Sequence, residues 1–77
     1  MKNVTIYSTP TCTYCKMTKE FFGENSVEYT DFDVSQDESK RNEMVEKSGQ
    51  MGVPVIDIEG EIVVGFDEPK LRELLEL

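Results

Sequence analysis

The first 34 residues leave this chain few folds to choose from. Val4 and Ile6 alternate with Thr5 and Tyr7, the period-two pattern of a strand at about residues 3–8. Pro10 breaks the regular backbone, and Thr11 can cap a helix beginning just after it. Tyr14, Met17, Thr18 and Phe21, with Phe22 beside them, then recur at helical spacing, and Gly23 offers a stop. A second extended segment lies within 27–34, although its alternation slips near Thr30. Strand, helix and strand in that order imply a parallel pair joined by a right-handed crossover.

The second half closes the sheet differently. Ser35, Gln36, Asp37 and Glu38 match a capping box for a second helix that Gly49 ends, with Met44 and Val45 as its clear apolar anchors. Residues 53–58 and 62–64 read as a hairpin turning at Glu59 and Gly60, so these strands must be antiparallel. Asp67 reads as an N-cap, Pro69 suits a first helical turn, and Leu71, Leu74 and Leu75 share one face of a last helix. The expected architecture is α/β in the order βαβαββα, a four-stranded mixed sheet flanked by three helices. With 77 residues and no repeat, linker or low-complexity tract, residues 1–77 read as a single domain. In such sheets ligands favour the crevice beyond the carboxyl ends of parallel strands, which is where the segment after the first strand falls.

That segment holds the only two cysteines, Cys12 and Cys15. A sulfur at a helix start meets unpaired N–H groups and the positive end of the helix dipole, which favour its thiolate, the nucleophilic form. The second sulfur, one turn on, can attack a mixed disulfide formed on the first. Two inert buried thiols are the bland alternative. A zinc site is the other, but it needs four ligands, and the chain offers two cysteines and no histidine.

Charge narrows the partners. The net charge of −8 argues against a nucleic-acid binder, which needs a basic face. Residues 1–22 hold Lys2, Lys16 and Lys19 against Glu20 alone, so the cysteines sit in a mildly positive segment that suits an anionic thiol substrate. Those lysines read equally well as a solvated helix face, and the acidic stretch from Glu24 to Glu38 reads as solvated surface. No run approaches the roughly 18 apolar residues of a membrane span, and no signal-peptide pattern opens the chain, so a cytoplasmic protein is expected. In a reducing compartment a spaced cysteine pair reads as catalytic or metal-binding rather than as a staple.

Thr11-Cys12-Thr13-Tyr14-Cys15 at a helix start, Gly52-Val53-Pro54 before a strand, and Gly65-Phe66-Asp67 before the last helix resemble the glutaredoxin family over essentially the whole chain. The resemblance implies a thioredoxin-like fold and thiol–disulfide exchange. Glutathione would be the co-substrate, with no tightly bound cofactor or metal. The implied partners are disulfide-containing or glutathionylated proteins, and the chain is expected to act as a monomer. By the same resemblance Cys12 attacks and Cys15 resolves. Tyr14, Gln50, Val53, Pro54, Gly65, Phe66 and Asp67 would line the glutathione site, with Pro54 in a cis bond and Asp67 facing the γ-glutamyl ammonium.

Several positions depart from the family pattern. Thr13 replaces the motif proline, Gly52 stands where threonine is common, and Thr9 stands where many members carry lysine. A single Gly65 before Phe66 is similar to the NrdH-redoxins, which thioredoxin reductase reduces, and that is the alternative reading. An iron–sulfur cluster bridging a dimer, as in some glutaredoxins, is a third.

Overall fold

The computed structural model describes residues 3–77; Lys2, a member of the basic segment, lies outside them. The order is β1 (Val4–Ser8), α1 (Thr13–Glu24), β2 (Thr30–Asp33), α2 (Glu38–Ser48), β3 (Val55–Ile58), β4 (Glu61–Val64) and α3 (Glu68–Leu75). The four strands form one sheet in the order β2-β1-β3-β4. β1 and β2 are parallel, with Ile6 opposite Asp31 and Tyr7 opposite Phe32, while β3 is antiparallel to both β1 and β4. This is the mixed sheet with three helices that the element pattern implied.

Because side chains alternate across a strand, the sheet presents a different apolar set on each face. Val4, Ile6, Ile56, Ile58 and Val63 meet Phe21 and Phe22 of α1 and Leu71 of α3. Tyr7 and Val55 meet Val34 and Met44 of α2 on the opposite face. There the buried Tyr7 hydroxyl donates to the Glu43 carboxylate and accepts from Lys47 Nζ at 2.9 Å. Lys47 also bridges to Asp57 at 2.8 Å, which raises its pKa and ties α2 to β3.

Phe22 is fully buried and packs on Phe21 and Tyr29, with ring centroids 6.0 and 5.3 Å away. Phe22→Ala is expected to cost about 3–5 kcal/mol, the usual range for emptying an aromatic core site. Urea unfolding followed by circular dichroism measures it. A loss under about 1 kcal/mol would show that α1 is held to the sheet by something else.

Three helix boundaries differ from the sequence reading. The N-cap of α1 is Cys12 rather than Thr11: Cys12 N–H closes a turn onto Thr9 O at 3.3 Å, and Cys12 O accepts the first helical bond, from Lys16 N. Gly23 lies inside α1, which Asn25 ends by donating its side-chain amide to Phe21 O at 2.9 Å. For α2 the cap is Asp37 rather than Ser35. Asp33 captures Ser35 through its backbone N–H at 2.9 Å, and Asp37 Oδ1 accepts from Lys40 N at 3.1 Å. The β3–β4 turn falls at Glu59 and Gly60 as expected. Both carry positive φ, 51° and 92°, which is the backbone of a tight two-residue hairpin.

Candidate functional site

Three segments converge where β1 ends. The first is the turn into α1, which follows from Pro10: no helix continues through it, so the chain folds back before the helix begins at Cys12. As N-cap, Cys12 takes an extended backbone (φ −85°, ψ 115°), and its Sγ accepts the Cys15 N–H at 3.1 Å. The sulfur thus occupies the place that a serine or aspartate oxygen fills in an ordinary cap, facing a helix-start donor. Negative charge on that sulfur would be met by an N–H already aimed at it.

The second segment is the loop before β3. The Val53–Pro54 bond is cis, and the Cys12 thiol donates to Val53 O at 3.7 Å. Val53 and Pro54 sit outside β3, which begins at Val55 rather than at 53. Gln50 braces this loop. Its amide accepts from Gly52 N–H at 2.5 Å and donates to Gly52 O at 3.0 Å and to Ser48 Oγ at 3.3 Å. A Cβ at position 52 would lie 2.7 Å from Gln50 Oε1, so any larger residue there displaces the brace.

The third segment is the turn from β4 into α3. Gly65 donates its N–H to Pro54 O at 2.8 Å with φ of +81°, a conformation that side chains strain to reach. Phe66 is half-buried, edge-on to Phe21 with centroids 5.7 Å apart, so part of its ring serves the core. Asp67 caps α3 by accepting from Lys70 N at 3.3 Å, and its carboxylate stays exposed.

Cys12, Val53, Pro54 and Gly65 are thus linked directly, with Phe66 and Asp67 next in chain. Tyr14 stands apart on the outer side of α1, 62% exposed. A cleft of about 370 Å³ opens beside Cys12, lined by Pro10, Thr11, Thr13 and Lys16. Cys15, by contrast, is 1% exposed. Its thiol is pushed up to about 12, first by burial and then by its hydrogen bond with Cys12. Two neighbouring sulfurs so differently placed are suited to unequal roles: one open to a substrate, one held in reserve.

Lys19 and Asp31 also meet in this region: the sequence offers Lys19 either to an anionic substrate or to solvent and places Asp31 on solvated surface, and about a third of each side chain stays exposed. Lys19 Nζ lies 2.6 Å from Asp31 Oδ2, and Ser8 Oγ donates to Asp31 Oδ1 at 2.6 Å. The spacing of Cys15 and Lys19, four apart on one helix, was the available signal. The partner strand was not legible, because nothing local ties residue 19 to residue 31.

The family model described as Glutaredoxin matches residues 4–63. A protein from Clostridium pasteurianum, described as an uncharacterized glutaredoxin-like 8.6 kDa protein in a rubredoxin operon, is 45% identical over 73 residues, covering 95% of this chain and 97% of its own. Glutaredoxin 3 of Escherichia coli K12 is 34% identical over 68 residues, 88% of this chain and 82% of its own. The crystal structure of a glutaredoxin from Archaeoglobus fulgidus superposes with a TM-score of 0.89 at 28% identity, over 100% of this chain and 89% of the other.

Proposed function

The chain belongs to the glutaredoxin family of thiol–disulfide oxidoreductases, with a thioredoxin-like fold, and from that premise we propose that it is a glutathione-dependent dithiol enzyme. It reduces protein disulfides and protein–glutathione mixed disulfides. The observation that carries this reading is the Cys12 sulfur, placed as helix cap under the Cys15 N–H and beside the Val53 carbonyl.

Cys12 thiolate attacks one sulfur of the substrate disulfide. A new S–S bond forms at Cys12, the old one breaks, and the departing thiolate takes up a proton. With a glutathionylated protein, Cys12 keeps the glutathione and the protein thiol leaves. A second glutathione then attacks that mixed disulfide, releasing oxidised glutathione and Cys12 thiolate. With a protein disulfide, Cys15 attacks instead, closing the Cys12–Cys15 disulfide, which two glutathiones reopen.

The remaining residues hold the glutathione. Once Cys12 is in a mixed disulfide it has no S–H to offer, so Val53 O becomes free to accept from the peptide backbone of the ligand. Gly65 and Phe66 shape the receiving turn. Asp67 offers its carboxylate to the γ-glutamyl ammonium, while N–H groups at the start of α3 meet the ligand carboxylate. Tyr14 covers the outer side with its ring. Gln50 acts by holding the loop that presents Val53 and Pro54. On this reading the enzyme works as a monomer in the reducing cytoplasm, with glutathione as co-substrate and no resident cofactor.

A second reading rests on the single Gly65 before Phe66 and on Thr9, which supplies no cation near the sulfur: an NrdH-like redoxin recharged by thioredoxin reductase. One coupled assay separates them. NADPH oxidation with glutathione and glutathione reductase should exceed that with thioredoxin reductase by at least about tenfold, a 1.4 kcal/mol preference in transition-state terms. The reverse order would establish the redoxin reading instead.

A further inference from the structure

A resolving role sets Cys15 a problem that its own surroundings do not solve. To resolve a mixed disulfide, this buried thiol must lose its proton near neutral pH. Burial opposes that most, followed by the hydrogen bond and the charge of Cys12. When resolution begins, however, Cys12 Sγ is bonded to the substrate sulfur and carries neither charge nor hydrogen. Two groups then remain that favour ionised Cys15: the Thr9 backbone and Lys19. Of these, Lys19 alone carries charge.

The ammonium is held in place. Lys19 lies one turn beyond Cys15 on α1, on the side facing the sheet. Its Nζ is fixed 2.6 Å from Asp31 Oδ2. The other Asp31 oxygen accepts from Ser8 Oγ at 2.6 Å, and Ser8, at the end of β1, is 1% exposed. Asp31 pairs in register with Ile6 on the edge strand β2, and about a third of its side chain and of that of Lys19 stays exposed. Among the described residues, the charged and titratable groups acting on Cys15 are Cys12 and Lys19, with Asp31 of β2 and Tyr29 just before it acting on Lys19.

We propose that Lys19, anchored by Asp31 and Ser8, is a positioning residue for the resolving step, its fixed ammonium stabilising the negative charge that develops on Cys15 Sγ. The step balances. Cys15 gives its proton to solvent and attacks Cys12 Sγ. The Cys12–substrate S–S bond breaks, its electron pair leaves on the substrate sulfur, and that sulfur is protonated. One disulfide replaces another, with no external oxidant or reductant. The inference rests on Cys12 as nucleophile and Cys15 as resolving thiol.

The experiment uses reduced whole protein mixed with the aromatic disulfide dithionitrobenzoate in a stopped-flow instrument. Attack by Cys12 releases one coloured thiolate; resolution by Cys15 releases a second from the mixed disulfide. In Lys19→Met and in Lys19→Gln the rate of the second release relative to the first should fall roughly five- to tenfold, and its pH profile should move to higher pH. Lys19→Arg should restore both. Circular dichroism checks that each variant is folded. An unchanged ratio and profile in both neutral variants, or an arginine variant no better than methionine, overturns the inference while leaving the dithiol reading intact. A native protein that releases a single equivalent overturns the resolving role itself, and the inference with it.

Discussion

Cys12→Ser should abolish exchange with every disulfide substrate, lowering the rate by more than about a thousandfold, because a hydroxyl at that position is not ionised at neutral pH and no second nucleophile can take over. The geometry makes the loss general. Cys15 is buried, and its thiol is pushed up to about 12, so it has neither the access nor the ionisation to attack a substrate itself. Serine can keep the cap, since its oxygen accepts the same N–H, so α1 and the fold should persist. Rates on a glutathionylated protein and on a protein disulfide, with melting temperature as control, test this. Residual activity within about tenfold of native would mean that the chemistry lies elsewhere.

Cys15→Ser should split the two activities. Removal of glutathione from a glutathionylated protein should stay within roughly threefold of native, because a second glutathione resolves that intermediate from solution. Reduction of protein disulfides should fall on the order of a hundredfold or more. There the mixed disulfide is with a bulky partner, and the tethered Cys15, one turn away, acts at an effective concentration that free thiol does not reach. Measured side by side with Cys12→Ser on both substrates, equal losses in the two variants would overturn the division of roles.

Much of this is legible in the sequence alone, for a definite reason. Period-two alternation at Val4 and Ile6, helical spacing from Tyr14 to Phe22, the hairpin turn at Glu59 and Gly60, and the Asp67 cap with Pro69 are all local signals. Each survived as the element it implied. Boundaries fared less well because competing local bonds decide them. Asp33 took Ser35 from the expected capping box, and the turn onto Thr9 moved the α1 cap to Cys12. The second of these matters chemically: it converts the cysteine from a residue inside the first turn into the capping group, its sulfur against the orphan N–H of Cys15.

Among the site residues, Cys12, Val53, Pro54 and Gly65 are joined by contacts, whereas Gln50 is committed to Gly52 and Ser48, and Phe66 is shared with the core. Lys19 and Asp31 stay about a third exposed, yet they join one network with the buried Ser8 that no local signal announces.

Residue order alone established the succession of strands and helices and the placing of a thiol pair at a helix start, because dihedral preference and hydrophobic period act over a few neighbours. Only the folded arrangement decided which sulfur is open and which is sealed, which groups Gln50 grips, and that a lysine of α1 is pinned by an aspartate from β2. Those outcomes depend on burial and on charges brought together from distant parts of the chain. Such terms have no value until the sheet has closed under the helix.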